Sequence, residues 1–301
     1  MKTLRTPDHQ FENLPDFSYA PHYLDYEGIR MHYVDEGTEE ETILALHGEP
    51  TWSYLYRKFI PILSPKYRFI APDMIGFGKS DKLTHPEDYS FHLHYDALKH
   101  LIRTLKLQNI TLVVQDWGGL LGLSLLGEHP DWFKRVVIMN TFLPIGRPLP
   151  FTFKLWQTFA WYFPSLPIGM VIRMGCYQKH PRAVIQAYKA PFPSRKYKAG
   201  AKAFPQLVPA KPTDEGVEAI RRARAALQQW HKPALVMFSD KDPVMSGLEG
   251  FFCKLIPASQ QRHKIIIQDA GHFLQEDKGE EIAQYIDRFI QGELKVERKI
   301  H

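Results

Sequence analysis

Cysteine is scarce in this sequence. Only two occur among 301 residues, Cys176 and Cys253, and their separation fits neither a zinc-ligand spacing nor a disulfide framework. This scarcity argues against a disulfide-stapled domain and a cysteine-based metal centre, and it suits a chain in a reducing compartment. We therefore expect no metal ion, and we expect the protein to be cytoplasmic.

Long apolar runs are absent as well. The stretch from Met1 to Asp8 lacks the hydrophobic segment of a signal peptide, and no later stretch approaches the roughly 20 apolar residues that cross a bilayer. No repeat of fixed period is present either. These features indicate a globular protein with no membrane partner, and its length suits one large domain or two ordinary ones.

The excess of positive charge is small and dispersed. The formal net charge is +5, and basic residues cluster only briefly at 195–198, 221–224 and 295–299. None of these clusters joins a nucleic-acid motif or extends into a basic arm, so we interpret them as solvated faces. Nucleic acid is not expected as a partner.

What the sequence does contain is an alternation of buried-strand and helix patterns. After a hairpin at 23–35, the predicted strands are 42–47, 67–71, 112–115, 135–140, 233–239 and 263–267, and the predicted helices are 52–63, 89–105, 118–126, 247–255 and 279–290. This alternation predicts an α/β fold with a doubly wound, mostly parallel sheet. The functional groups of such a sheet lie at the carboxyl ends of its strands.

The alternation stops between Thr141 and about Trp230. This region is rich in proline and contains short amphipathic helical pieces, with no convincing strand. We expect a helical cap inserted over the active end of the sheet. The expected division is a core in two parts, 1–143 and 229–301, with the cap at 144–228 between them.

One stretch organises the rest of the chain: a buried strand ends at Asp116, and a helix-forming segment begins at Gly118. Such a strand–turn–helix projects its corner residue above the sheet and directs the next amide, that of Trp117, into the same space. A carboxylate at the corner is already anionic at neutral pH, which suits displacement at a saturated carbon and formation of an ester. The alternative is that Asp116 only caps the helix, as Asp often does.

A second loop at the same edge of the sheet follows the strand at 42–47. Gly48 in this loop permits close approach of the backbone to a ligand. We predict that the amide of Glu49 is a second donor to an oxyanion, together with that of Trp117.

Two later strands are each followed by a candidate partner for Asp116. Asp240 and Asp242 follow the first of these strands, and His272 follows the second. The order nucleophile, acid, histidine is the order of an α/β-hydrolase triad. We predict His272 as the base and Asp242 as the acid, because a loop can turn Asp242, just before a proline, inward more readily than Asp240 at the strand end.

Three stretches around these residues resemble haloalkane dehalogenases of the α/β-hydrolase superfamily, and they are 47–57, 114–119 and 269–276. The resemblance extends from about Pro21 to Phe289 and implies the α/β-hydrolase fold with an eight-stranded sheet. General α/β-hydrolase elbows have Gly two residues before the nucleophile. This chain has Val114 there, which is similar to what this family shows.

The resemblance also implies a subfamily. In one branch the acid follows the strand that ends here at Asn140, and an Asn in the loop after the His-Gly pair binds halide. This chain has Asn140 and Glu49 at those positions, and neither can fill the role. Asp242 stands at the acid position of the other branch, so the first subfamily is implied.

That subfamily takes its second halide-binding tryptophan from the cap. Trp117 is the implied first halide ligand, and Trp156 stands at the position of the second. Trp161 is the main competitor, but its aromatic neighbours favour a packing role. Two indole N–H groups are donors only, which favours an anion such as a departing halide.

The implied reaction is hydrolysis of the carbon–halogen bond of haloalkanes to a primary alcohol, halide and a proton. Asp116 displaces the halide, and water activated by His272 cleaves the resulting ester, with Asp242 supporting the imidazolium. No metal or organic cofactor is implied. The expected partners are a small halogenated alkane and a halide ion, and the chain is expected to be a monomer.

Epoxide hydrolases are the nearest alternative, because they share an Asp elbow and a helical cap. They differ in using cap tyrosines to protonate the epoxide oxygen, and the candidates here are Tyr162, Tyr177, Tyr188 and Tyr197. Fluoroacetate-type dehalogenases are disfavoured, because Trp117 stands where they carry an Arg. A catalytically idle ligand-binding relative would have lost a triad member, whereas all the candidates are present.

Overall fold

The elbow lies on a central sheet in the computed structural model of the protein, which describes residues 2–163, 165–259 and 264–294. The strands are β1 Thr3–Leu4, β2 His22–Tyr26, β3 Ile29–Glu36, β4 Thr42–Leu46, β5 Arg68–Pro72, β6 Lys82–Leu83, β7 Ile110–Gln115, β8 Phe133–Met139, β9 Ala234–Ser239 and β10 Lys264–Ile267. Eight of them form one sheet in the order β10-β9-β8-β7-β4-β5-β3-β2, and β1 pairs with β6.

Strand direction follows the predicted pattern. In the eight-stranded sheet β3 runs antiparallel to both of its neighbours, β2 and β5, and every other neighbouring pair is parallel. The elbow strand β7 lies in the middle, with Val114 opposite Leu46 on one side and Ile138 on the other. All six residues of β7 are buried. The predicted doubly wound, mostly parallel eight-stranded sheet is thus confirmed.

Helices cover both faces of this sheet. They are α1 Ile60–Leu63, α2 Phe91–Thr104, α3 Trp117–Glu128, α4 Phe151–Tyr162, α5 Ile168–Gly175, α6 Arg182–Lys189, α7 Ala199–Leu207, α8 Val217–Gln228, α9 Glu249–Leu255 and α10 Leu274–Ile290. Helix α3, which follows the elbow, is apolar all round and is buried from Trp117 to Leu126, as expected of a helix at the centre of a core. Helix α8 packs against it, and a Cβ atom on Gly127 would lie 2.6 Å from Ala223 Cα, so glycine allows that close approach.

Two predicted helices differ from those observed. The stretch predicted as one helix at 52–63 is a short 3-10 helix at Ser53–Tyr56 followed by α1. Pro61 lies in the first turn of α1 and has no N–H to continue a helix from the preceding turn. The predicted closing helix at 279–290 begins earlier, at Leu274, with non-helical backbone at Lys278.

The remaining bounds agree within a few residues. Helix α2 begins after Ser90, whose hydroxyl accepts from the amide of Leu93 at 3.0 Å. His263, predicted as the first residue of the last strand, lies outside the described residues, as do the basic residues at 295–299.

Helices α4 to α8 make up the region 144–228, for which we keep the name cap. Of its residues that the structure describes, none is in a strand. Within the described part of the chain, no helix is long and apolar enough to cross a membrane.

A buried ion pair of the core is bonded to the cap through Tyr188. Arg57 donates from Nη1 and Nη2 to the two carboxylate oxygens of Glu276, at 2.5 and 2.7 Å, and both side chains are almost completely buried. The hydroxyl of Tyr188 on α6 donates to Glu276 Oε2 at 2.6 Å. Cap and core therefore share a buried polar cluster at Glu276.

Candidate active site

Asp116 occupies the corner between β7 and α3 in a strained conformation. Its backbone has φ 50° and ψ −124°, in a region that residues with a Cβ rarely adopt. Its side chain makes no capping hydrogen bond to α3. Instead Oδ1 accepts from the amide of Glu49 at 2.8 Å, and Thr141 Oγ1 donates to the backbone carbonyl of Asp116 at 2.7 Å. The carboxylate is thus directed above the sheet, away from the helix that it precedes.

Glycines allow the elbow to pack this tightly. A Cβ atom on Gly118 would lie 2.1 Å from the carbonyl oxygen of Leu46, and one on Gly48 would lie 2.3 Å from Asp116 Oδ1. Side chains at these positions would push the two loops apart. The glycines next to Asp116 and Glu49 therefore bring a carboxylate and an amide donor together.

The loop after β4 is fixed by a buried neutral histidine. The amide of Met74 donates to His47 Nε2 at 3.0 Å, so the ring proton lies on Nδ1, which donates to the carbonyl of Gly48 at 2.9 Å. Burial lowers the pKa of His47, although the negative charge of Asp73 acts to raise it. The neutral ring holds the loop without placing a charge in it.

The side chain of Glu49 is itself buried, with 8% exposed. Burial, followed by the negative charge of Asp116, raises its pKa well above the ordinary value. Among the described residues its Oε1 has no hydrogen-bond partner. The raised pKa favours the protonated form of Glu49, which lessens the repulsion that a second carboxylate beside Asp116 would cause.

His272 follows β10 and contacts two carboxylates. Its Nδ1 lies 2.8 Å from Asp242 Oδ2, and its Nε2 lies 3.6 Å from Asp116 Oδ2. Burial of the ring opposes its charged form, but the negative charges of Asp242 and Asp116 outweigh burial and raise the pKa of His272 to about 10. The structure thus brings together the three residues that the sequence placed on separate loops.

Asp242 is held by backbone donors in its own loop. Oδ1 accepts from the amides of Val244 at 2.7 Å and Met245 at 3.1 Å, which leaves Oδ2 for His272. Burial opposes its ionisation, whereas His272 and these amides hold its pKa below the usual value. The side chain is therefore an ionised and oriented partner for the imidazole.

Asp240 points elsewhere. Its Oδ2 lies 2.9 Å from Lys241 Nζ, and its Oδ1 accepts from the amide of Ala270 at 3.4 Å. Asp240 thus bonds to the loop between β10 and α10 at the amide of Ala270, whereas His272 bonds to Asp242.

Two further residues contact the loop of His272. Gln115 Nε2 lies 3.1 Å from His272 Nε2 and donates to its carbonyl at 3.2 Å. Asn140 Nδ2 donates to the carbonyls of Gly271 and His272, both at 3.1 Å. Sequence reasoning missed Gln115, although a buried amide at the end of an apolar strand must find polar partners.

Trp117 and Trp156 differ in how firmly they are packed. Trp117 is buried, with its ring centroid 4.8 Å from that of Phe204 and 6.5 Å from that of Phe91. Trp156 on α4 is partly buried and packs against the core, whereas Trp161 is not among the core-packed side chains of the described residues.

The four cap tyrosines differ in exposure and in hydrogen bonding. Tyr162 is 77% exposed and Tyr177 is 53% exposed. Tyr188 is committed to Glu276, and Tyr197 is partly buried against the core. Two of the four candidate acids thus face solvent, and a third donates its proton to a carboxylate.

An Asp elbow with a His and a second Asp at neighbouring strand ends of this sheet defines a hydrolase of the α/β-hydrolase class. The family model for the alpha/beta hydrolase fold matches residues 41–173. A haloalkane dehalogenase from Psychrobacter cryohalolentis is 47% identical over 298 residues, which cover 96% of this chain and 98% of that protein. The chain belongs to the haloalkane dehalogenase family.

Two other comparisons extend this result. The structure of haloalkane dehalogenase DpaA from Paraglaciecola agarilytica NO2, described as tetrameric, has a TM-score of 0.90 and 40% identity and covers 94% of this chain and 97% of that one. A cis-3-alkyl-4-alkyloxetan-2-one decarboxylase from Xanthomonas campestris is 32% identical over 296 residues, covering 92% of this chain and 98% of that protein.

Proposed function

We propose that this protein hydrolyses the carbon–halogen bond of haloalkanes through an ester on Asp116. The observation that carries the proposal is an elbow carboxylate with one oxygen held by the Glu49 amide and the other beside His272. A carboxylate oxygen attacks the carbon that bears the halogen, the new C–O bond forms, and the halide leaves with the bonding electrons.

We assign the departing halide to the indole N–H groups of Trp117 and Trp156. Donors that are already in place where charge develops stabilise the leaving anion without reorganisation. The burial of Trp117 and the packing of Trp156 against the core support this pair over one that includes Trp161.

Water then cleaves the ester. His272 takes a proton from water, and the water oxygen attacks the carbonyl carbon of the Asp116 ester. The amides of Glu49 and Trp117 stabilise the oxyanion, and the alcohol leaves as the Asp116 carboxylate is regenerated. Asp242 supports the imidazolium that this proton transfer creates. The products are an alcohol, a halide ion and a proton, and none of these steps calls on a metal or organic cofactor.

We place the protein in the subfamily whose acid follows β9 and whose second tryptophan comes from the cap. The contact between Asp242 and His272 supports this assignment. Asn140, at the acid position of the other branch, donates from Nδ2 to the carbonyls of Gly271 and His272. Its Oδ1 accepts from the amide of Ser239 at 3.0 Å, and its amide carries no negative charge to support an imidazolium.

The division into a core at 1–143 and 229–301 and a cap at 144–228 belongs to the same proposal. The lack of strands among the described residues of the cap supports it. A monomeric state and a cytoplasmic location stay predictions for this chain.

The decisive experiment is a substrate panel. Purified protein is assayed for halide release from 1-bromo- and 1-chloroalkanes, for diol formation from styrene oxide, and for consumption of a cis-3,4-dialkyl oxetan-2-one. We expect halide release that Asp116→Ala abolishes and that Asp131→Ala, a change at an exposed residue just after α3, preserves.

Activity on the epoxide or the oxetanone without halide release from any haloalkane would refute the proposal. The epoxide reading would then require a proton donor other than Tyr162, Tyr177 and Tyr188, since these three face solvent or Glu276.

A further inference from the structure

Asp277, near the start of α10, lies at the junction of two loops. Its Oδ2 accepts from the amide of Gly271, in the loop between β10 and α10, and from the amide of Tyr177 in the cap, both at 2.8 Å. Its Oδ1 accepts from the amide of Gln178 at 3.0 Å and from His180 Nε2 at 2.8 Å. One buried side chain thus bonds to the turn before the base and to the α5–α6 loop of the cap.

This carboxylate is saturated. Two carboxylate oxygens offer about four lone-pair sites, and four donors fill those of Asp277. Burial opposes its ionisation, but His180 and the backbone amides hold its pKa below the usual value. The group is therefore an anion whose bonding capacity is fully used.

Three residues of types that bind metals lie close together at this junction. They are Cys176, His180 and Asp277, and their possible ligand atoms lie within 4.8 Å of one another. A metal ion would have to displace hydrogen bonds from Asp277, and burial raises the pKa of the Cys176 thiol, which opposes the thiolate that binds metals. The hydrogen-bonded junction explains these residues better than a metal site does.

The backbones of the two loops also touch. The amide of Phe273 donates to the carbonyl of Gly175 at 3.2 Å, and a Cβ atom on Gly271 would lie 2.4 Å from that same carbonyl oxygen. The end of α5 therefore sits directly on the turn that carries His272.

The same turn is held from its other side by the core. Asn140 donates to the carbonyls of Gly271 and His272, and Ser239 Oγ donates to that of Gly271 at 2.7 Å. The core therefore holds this turn at the carbonyls of Gly271 and His272. Asp277 holds it at the amide of Gly271 and links it to the cap.

We infer that Asp277 is a positioning residue that holds the turn carrying His272 against the α5–α6 loop of the cap and so sets the position of the base. The inference rests on the proposed function, because it assigns Asp277 to the step in which His272 acts on water. Asp116, Glu49 and Trp117 lie on other loops. Trp156 lies on α4, whereas the cap residues bonded to Asp277 lie in the α5–α6 loop. Formation of the ester therefore does not depend on Asp277.

The test is a single-turnover experiment with enzyme in excess over a 1-bromoalkane. Bromide reports ester formation, and the alcohol reports hydrolysis. In Asp277→Asn an NH₂ group replaces an acceptor and faces N–H donors, so the turn should shift. We expect an unchanged rate of bromide release and alcohol formation slowed by roughly 10²-fold, the scale of a 1 Å misplacement.

Asp287→Asn is the matched control. Asp287 is also a carboxylate on α10, but it accepts from Lys66 Nζ at 2.6 Å and from the hydroxyl of Tyr67 at 3.0 Å. This variant should preserve both rates. If Asp277→Asn slows both steps equally, or leaves hydrolysis unchanged, Asp277 has no positioning role.

Two further experiments, a second variant and a chelator treatment, make the result decisive. If Asp277→Asn does not fold, His180→Leu removes one of the four donors and should still slow hydrolysis selectively; equal effects on both steps would overturn the inference. Dialysis of the wild type against a chelator should change neither rate, and a loss of hydrolysis restored by Zn²⁺ would replace the hydrogen-bonded junction with a metal site. A wild type that releases no bromide would instead refute the proposed function, and with it the role of Asp277 in hydrolysis of the ester.

Discussion

His272 Nδ1 lies 2.8 Å from Asp242 Oδ2, whereas Asp240, two residues earlier in the chain, bonds to the backbone of Ala270 and to Lys241. Two aspartates of the same loop thus have different surroundings. Asp242 is buried against the imidazole of His272, whereas Asp240 is bonded to the turn at Ala270.

The first prediction compares these two aspartates. Asp242→Asn should lower turnover by as much as ~10⁴-fold, by analogy with the Asp of serine-hydrolase triads, because the imidazole loses the anion that orients it. Asp240→Asn should retain most of the activity. Steady-state kinetics on both variants, with thermal unfolding to match their stability, checks this, and a more severely impaired Asp240→Asn would reverse the assignment.

The second prediction concerns the ester on Asp116. His272→Phe should release one equivalent of halide per site and then stop, since the attack needs no base and the hydrolysis does. Mass spectrometry should find the alkyl group on the peptide that contains Asp116. Halide release without an adduct would exclude a covalent mechanism.

The third prediction follows from the raised pKa of His272. Its folded-state pKa of about 10 lies above the ordinary value of 6.5, so its contribution to stability is fully present below pH 6.5 and is lost as the pH rises through 10. Between pH 6.5 and 10 the wild type should lose more unfolding free energy than His272→Gln does. Urea unfolding of both proteins at the two pH values measures the difference, and parallel curves would contradict the ion pair.

The fourth prediction concerns the protons of the reaction. Ester formation removes the negative charge of Asp116, which lies 3.6 Å from His272 Nε2, so the pKa of His272 should fall in the intermediate. At pH 8 an indicator dye should therefore detect proton release together with halide, before the alcohol appears. Proton release that accompanies only the alcohol would show that alkylation does not change the charge of His272.

The fifth prediction separates the cap tryptophans. Chloride or bromide should quench tryptophan fluorescence saturably in the wild type. Trp156→Phe should remove most of this response and slow dehalogenation by about 10²-fold or more, the effect of losing one preorganised donor. Trp161→Phe should preserve both, and the opposite pattern would make Trp161 the halide ligand.

The elbow and the sheet could be predicted because their determinants are local. A buried apolar strand that ends in Asp and opens into glycines specifies the turn at Asp116. The alternation of strands with helices specifies a mostly parallel sheet. The positions of Asp242 and His272 followed from the rule that the carboxyl ends of parallel strands meet at one edge.

The surroundings of the site could not be predicted in this way. The contact of Gln115 with His272 joins residues 157 positions apart, and no local pattern specifies such a pair. The break before α1 is local, but helical periodicity continues through it. The helical turn before the non-helical Lys278 is not part of the predicted closing helix. Tertiary packing determines features of this kind.

The hydrogen bond from Tyr188 to the buried pair of Arg57 and Glu276 limits which caps relatives can exchange by recombination. A chimera that receives a foreign cap with Phe at this position would leave one lone pair of a buried carboxylate without its donor, at a cost of about 1.5–3 kcal/mol for a hydrogen bond to a charged group. Caps are therefore interchangeable only among relatives that also supply this hydroxyl. We expect viable chimeras to inherit Arg57, Tyr188 and Glu276 as one linked set.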